Sequence, residues 1–255
     1  MSFHLIFDDL LKNHFQNSDG QKLSITAANP NFATAFIASQ SLNISTQKKS
    51  TLIITENLES AESFKRTFDL FRSFRDGETL REANILPAHD ISPYSGLYSS
   101  RRLSQQRLRW LHRALFPVEG DIFIAPLKAL AQYTLPIEVL IDNSHQYEIG
   151  QDLPSNLPSF LSRLGYISAP VVEDSGTFSV RGGIVDIYSP AHALPVRIEL
   201  FGDQIESLRL FDPESQRSSE EIQNFSLIPA QEILFNEERI IRCCKKLEAL
   251  RSEED

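Results

Sequence analysis

A chain of 255 residues with 41% hydrophobic side chains suits two domains with ordinary cores. Its formal net charge of −9 argues against a strong, sequence-independent nucleic-acid binder, because phosphate neutralisation needs clustered Lys and Arg. No run approaches the roughly 18 apolar residues of a membrane span, and the start lacks a signal peptide's charged region and cleavage site, so a cytoplasmic protein without membrane contact is expected. The two cysteines, Cys243 and Cys244, are adjacent and match neither a disulfide framework nor a metal spacing.

In chain order, Phe3, Ile6, Phe7, Leu10 and Leu11 fall on one helical stripe, and the stretch Asn17 to Gly20 breaks it. Lys22 to Thr26 is a first predicted strand, with a helix after Pro30. Thr51 to Thr55 is predicted as a second, buried strand. Asn57 then caps a helix whose apolar positions Ala61, Phe64, Phe68, Phe71 and Phe74 recur every three or four residues. A third strand ends at Leu86. A helix over 99–116 precedes a strand at Asp121 to Ala125, and Pro126 opens a short helix to Thr134. Alternation of this kind predicts parallel pairing in a doubly wound α/β sheet. Arg101, Arg102, Arg107, Arg109 and Arg113 crowd one helix and read as a solvated face.

Near Pro136 the alternation stops, and a smaller α+β domain is expected. It holds Ile137 to Ile141, a helix from Pro158 to Leu164 with Gly165 as its C-cap, and strands after Tyr166. From Pro229 the pattern turns helical, with Ile240, Ile241, Cys244 and Leu247 as the apolar positions of a helix over 237–251. That helix runs to the final RSEED with no glycine stop, so the chain is expected to be a fragment of a longer one.

The stretch Asp174 to Arg217 is the most informative. In VRIELF, residues 196–201, Val196, Ile198 and Leu200 form one face and Arg197, Glu199 and Phe201 the other. Gly202-Asp203 turns the chain so that Ile205 to Phe211 returns beside it. Upstream, Phe178 and Val180 oppose Thr177, Ser179 and Arg181, and Gly182-Gly183 marks a bulge or a close backbone approach. A strand already filled on its core face has no internal need for Phe201 on its polar face. That residue either covers an edge or a helix, or forms a protein-binding hot spot with the arginines.

Catalytic constellations are missing. A nucleotide-hydrolysing domain of this architecture needs glycines and a lysine between its first strand and first helix. Residues 25–33 read ITAANPNFA, without either, and proline removes a donor. The six histidines show no His-Glu-x-x-His spacing, and His89-Asp90 and Asp8-Asp9 read as solvated residues.

The run RGGIVDIYSP…PVRIELFGDQIESLRLFDPESQRS resembles the second domain of the UvrB-like module in bacterial nucleotide-excision-repair proteins. With the empty cradle and the short segment PAHDISPYSGL at 87–97 in place of a DNA-probing hairpin, the chain looks like the degenerate module of the transcription-repair coupling factors. The resemblance covers about residues 20–234. It implies a doubly wound α/β domain over 1–136 with a degenerate P-loop NTPase-like fold. A UvrB-like, UvrA-binding α+β domain over 137–228 follows, and then a truncated segment, 229–255, that returns to the first domain or starts the next. It implies that the module is a non-catalytic adaptor recruiting UvrA, with Arg181, Arg197 and Phe201 as the contact. The two guanidiniums are expected to be open forks for partner carboxylates on a face the core does not use. It implies that absent C-terminal domains mask this face, and that RNA polymerase, DNA, ATP and magnesium are engaged only through absent parts, with no cofactor here. The readings left standing beside it are a UvrB-type DNA-probing module and a nucleotide-binding one.

Overall fold

A computed structural model describes residues 50–73, 82–89, 91, 99–118, 120–234 and 237–252. The predicted first helix, the strand at 22–26 and the phosphate-cradle positions 25–33 lie outside the described residues. The described chain is mixed α/β and falls into two units, one formed by residues 50–85 and 117–127, the other by 86–116 and 128–252.

In the first unit, β1 (Thr51–Thr55), β2 (Ala83–Ile85) and β3 (Ile122–Pro126) form a sheet of order β1-β3-β2, with both pairings parallel. β3, the central strand of this sheet, is buried along its whole length. Helix α1 (Leu58–Ser73) begins where Asn57 Oδ1 accepts the Ser60 N–H at 2.9 Å, the expected cap. Its stripe of Ala61, Phe64 and Phe68 packs on Ile53, Ala83, Ile122 and Ile124. The Phe71 side chain and Phe74 lie outside the described residues. β1 departs from the buried strand expected: Ile53 is inside, but alternation turns Leu52 and Ile54 to the other face, where both are more than half exposed.

In the second unit, α2 (Arg101–Leu115) is capped by Ser100 Oγ, which accepts the Leu103 N–H at 3.2 Å. This helix precedes the boundary expected at 136, yet Leu108 packs with Leu135, Leu140, Ile228 and Leu234. The helix expected from Pro126 to Thr134 is shorter, four residues as α3 (Leu127–Leu130), and α4 (Ile137–Asp142) follows. Strand β4 (His145–Glu148) precedes α5 (Leu157–Arg163), and β5 (Ile167–Ser168) comes after it. α5 ends as predicted: Gly165, at φ +88°, donates to Ser162 O, and Tyr166 N–H reaches back to Leu161 O, both at 3.0 Å.

The rest is a sheet of order β10-β9-β8-β7-β6-β5, built from β6 (Thr177–Arg181), β7 (Ile184–Ile187), β8 (Val196–Phe201), β9 (Gln204–Phe211) and β10 (Ser218–Glu221). All its pairings are antiparallel except β5 with β6. β11 (Asn224–Leu227) pairs with β4 in a separate ribbon. One face of the large sheet buries Phe178, Val185, Ile187, Val196, Ile198 and Leu208 against Leu157 and Leu161 of α5. Between β8 and β9 the register shifts, so that Glu199 faces Ser207 while Leu200 faces Ile205. The extra residue, Glu206, lets Ile205 and Leu208 both reach the core at a spacing of three. Helix α6 (Glu237–Ser252) forms where expected, but Ile240, Ile241 and Cys244 are exposed.

Candidate functional site

The site is the polar face of the six-stranded sheet, and register assembles it. Gly182-Gly183 is the two-residue turn of the β6–β7 hairpin, with Arg181 opposite Ile184. It is also the close approach expected there: a Cβ on Gly183 would lie 3.0 Å from Leu200 O, and Leu200 N–H donates to Gly183 O at 2.7 Å. Farther along the hairpin Asp186 sits opposite Ser179, and on its other side opposite Arg197. Directly paired residues share a face, so the Asp186 carboxylate meets the Arg197 guanidinium.

Asp186 is completely buried and accepts from both arginines. Arg197 Nε donates to Oδ1 at 2.7 Å and Nη2 to Oδ2 at 3.0 Å, a two-pronged pair, while Arg181 Nη2 donates to the same Oδ2. Arg197 Nη1 donates to Gln216 O at 3.2 Å, and its guanidinium carbon lies 4.6 Å from the centroid of the Phe211 ring. The bond to Asp186 raises the Arg197 pKa above its ordinary value, against the opposing effect of burial. Gln216 delivers its carbonyl from a left-handed backbone, φ 59°, a conformation costly for a residue with a side chain. Its amide nitrogen ties that turn down by donating to Pro213 O at 2.7 Å and Val172 O at 3.1 Å.

Arg197 is therefore not the open fork that the sequence suggested. Its side chain is 19% exposed, and its donors serve Asp186 and Gln216. Arg181 differs: 52% of its side chain is exposed, and a single hydrogen bond anchors it. The two guanidiniums face two carboxylates here, the buried Asp186 and the partly exposed Glu199. Glu199 lies beside them, its Oε2 accepting from Ser207 Oγ at 2.8 Å. At the strand's end Phe201 is 81% exposed on the face predicted for it, and partly exposed Ile184 and Val171 add apolar surface near Arg181. The turn after Phe201 is the expected one, with Phe201 opposite Gln204.

Sequence reasoning missed Asp186, whose residue type sits unmarked in the apolar run IVDI. It also missed a second polar cluster. Arg107, read as part of a solvated face, is fully buried; its Nε donates to Glu232 Oε1 at 2.9 Å and its Nη1 to Pro87 O at 2.7 Å. Glu232 Oε2 also meets His89 Nε2 at 2.9 Å, and Ser104 Oγ donates to it at 3.3 Å. A signal for Arg107 existed, because it lies on the i, i+4 line that continues to Leu111 and Leu115. His89 is accordingly part of a structural cluster rather than a solvated loop residue. Elsewhere in the unit, burial lowers the pKa of His112 and of His192, whose Nε2 accepts the Ser226 N–H at 2.9 Å. Among the described residues no group of three His, Cys, Asp or Glu could hold a metal ion, and no helix is long and apolar enough to cross a membrane.

Residues 147–233, which contain this whole face, match the family model of the UvrB interaction domain, and the chain carries that domain. Over a longer span it is homologous to the transcription-repair-coupling factors. It is 38% identical to that of Myxococcus xanthus over 154 residues, 60% of this chain and 13% of the relative. It is 33% identical to that of Staphylococcus epidermidis over 235 residues, 89% of this chain and 19% of the relative. The Bacillus subtilis factor is 33% identical over 202 residues, 79% of this chain and 17% of the relative. The chain thus spans less than a fifth of the length of these three relatives.

Proposed function

We propose that this chain is the UvrA-docking module of a transcription-repair-coupling factor, an adaptor that brings UvrA to a stalled RNA polymerase. The observation that carries this reading is Phe201, an 81% exposed aromatic at the end of β8, in the same sheet as the half-exposed, carboxylate-anchored Arg181 and inside the segment matched to the UvrB interaction domain. A rigid aromatic flanked by a charged rim is the composition of a binding hot spot. In this reading Arg181 and Phe201 make the contact, and Arg197, whose donors are taken by Asp186 and Gln216, backs the face from within the sheet. Residues 50–85 and 117–127 belong to a degenerate NTPase-like domain, residues 86–116 and 128–234 to the docking unit, and the helix over 237–252 returns to the first domain or starts the next. The module itself performs no catalysis and needs no cofactor; ATP, magnesium, DNA and polymerase are handled by other parts of the full-length factor. Those other parts also cover the docking face in the resting protein.

The test is a titration of this chain with UvrA from the same organism, by calorimetry, for the native sequence and for Phe201→Ala. Truncation of a hot-spot residue costs about 2 kcal/mol or more, so affinity should fall about thirtyfold. Absence of binding by the native chain, or equal affinities, would overturn the reading.

A further inference from the structure

We propose that Asp186 is a positioning residue for this docking face: it holds Arg181 in the geometry that UvrA meets, without touching UvrA itself. The inference rests on the docking reading above. Asp186 has no exposed surface, so a partner cannot reach its carboxylate. Its place is fixed by register between Ser179 and Arg197. Its orientation is fixed by the two-pronged pair with Arg197, which Gln216 O and the Phe211 ring hold in turn. The carboxylate therefore stands rigid before Arg181 arrives.

Arg181 has no comparable support. It is the last residue of β6, half-exposed, and its side chain makes one hydrogen bond, to Asp186 Oδ2. An arginine on a hairpin end samples many rotamers in water and loses them when a partner docks. The bond to Asp186 removes that freedom in the free protein and leaves the remaining donors of the fork facing outward. Ordering one long side chain beforehand is worth about a tenfold gain in affinity. An amide at 186 keeps the volume but turns donor hydrogens toward the guanidiniums and removes the charge that anchors them.

The experiment is a double-mutant cycle read as affinity for UvrA, with native chain, Asp186→Asn, Arg181→Ala and the double variant, each checked for folding by its melting curve. Asp186→Asn should bind about tenfold more weakly, Arg181→Ala at least as weakly, and the double variant no more weakly than Arg181→Ala. An effect of general loosening would persist without Arg181, so multiplied losses in the double variant would overturn the proposal. So would native affinity in Asp186→Asn. If Asp186→Asn does not fold, the paired change Asp186→Asn with Arg197→Gln leaves no buried charge unmatched. It goes through the same cycle, and the same two outcomes decide. Loss of the Phe201 effect would strike at the docking reading itself. Binding that depends on Phe201 and ignores Asp186 would remove only the positioning role.

Discussion

Replacing Arg197 by alanine should destabilise the unit that carries the proposed docking face, although the sequence places this arginine on a face the core does not use. The change strips the fully buried Asp186 of a two-pronged partner and removes the guanidinium stacked on Phe211. Breaking one side of a buried ion pair costs about 3–5 kcal/mol. Arg181 still reaches Oδ2, so the low end, about 3 kcal/mol, is expected. At about 2–4 °C per kcal/mol for a domain of this size, the melting point should drop by about 6–12 °C. Arg181→Ala is the control. That side chain is 52% exposed and its removal leaves Asp186 its two-pronged partner, so the cost should stay within about 1 kcal/mol and the melting point should move by no more than about 4 °C. The readout is Trp110 fluorescence during thermal and urea unfolding. Trp110 is the chain's single tryptophan, buried in the same unit as Asp186 and Arg197, so its signal separates this unit's melting from the other's. Coincident melting of the two variants would refute the argument that register has enclosed Arg197 within the fold.

Two further outcomes follow from the same unit. Burial lowers the folded-state pKa of His112 and His192, so below about pH 6.5 the unfolded chain binds more protons than the folded one. Stability should be complete above that pH and decline as pH falls through the window beneath it; urea midpoints at pH 7.5 and 5.5 measure this, and His192→Gln should flatten the decline. Gly165→Ala should lower the melting point by about 2–8 °C, because left-handed backbone costs a side chain about 1–2 kcal/mol. Its new Cβ would also fall 2.3 Å from Gln231 Cγ, and unchanged melting would contradict the tight helix end described.

What was legible in the sequence was local. The α1 stripe of Ala61, Phe64 and Phe68 could be read because helical period and burial coincide. Phe201 could be read because its own strand already assigned a core face, which made the aromatic an anomaly. Gly165 announced its helix end. What was hidden depends on the meeting of distant residues. Asp186 acquires its meaning from β8, across the intervening loop, and Arg107 from a glutamate that follows every strand of the sheet. A charge enclosed by a remote partner leaves a pattern indistinguishable from a charge in water until that partner is placed. The shift at Glu206 was silent too, since no glycine or proline marks it. Leu52 and Ile54 show the converse: a short β-branched run reads as buried whichever faces the fold covers.

The bond between Arg107 and Glu232 also sets a timetable. Its ends are 125 residues apart. At about 5–20 residues per second, a ribosome needs about 6–25 s to deliver the glutamate after the arginine. During that interval a helix whose face includes Arg107 has no carboxylate with which to enclose its charge, and Leu108 lacks Ile228 and Leu234 beside it. The nascent unit therefore cannot close from its leading end, and the last turn before α6 acts as its clasp. A chain cut just after β11 would retain every described strand and the proposed docking face, yet it would lack Ile228, Leu234 and Glu232, the groups that enclose Leu108 and Arg107.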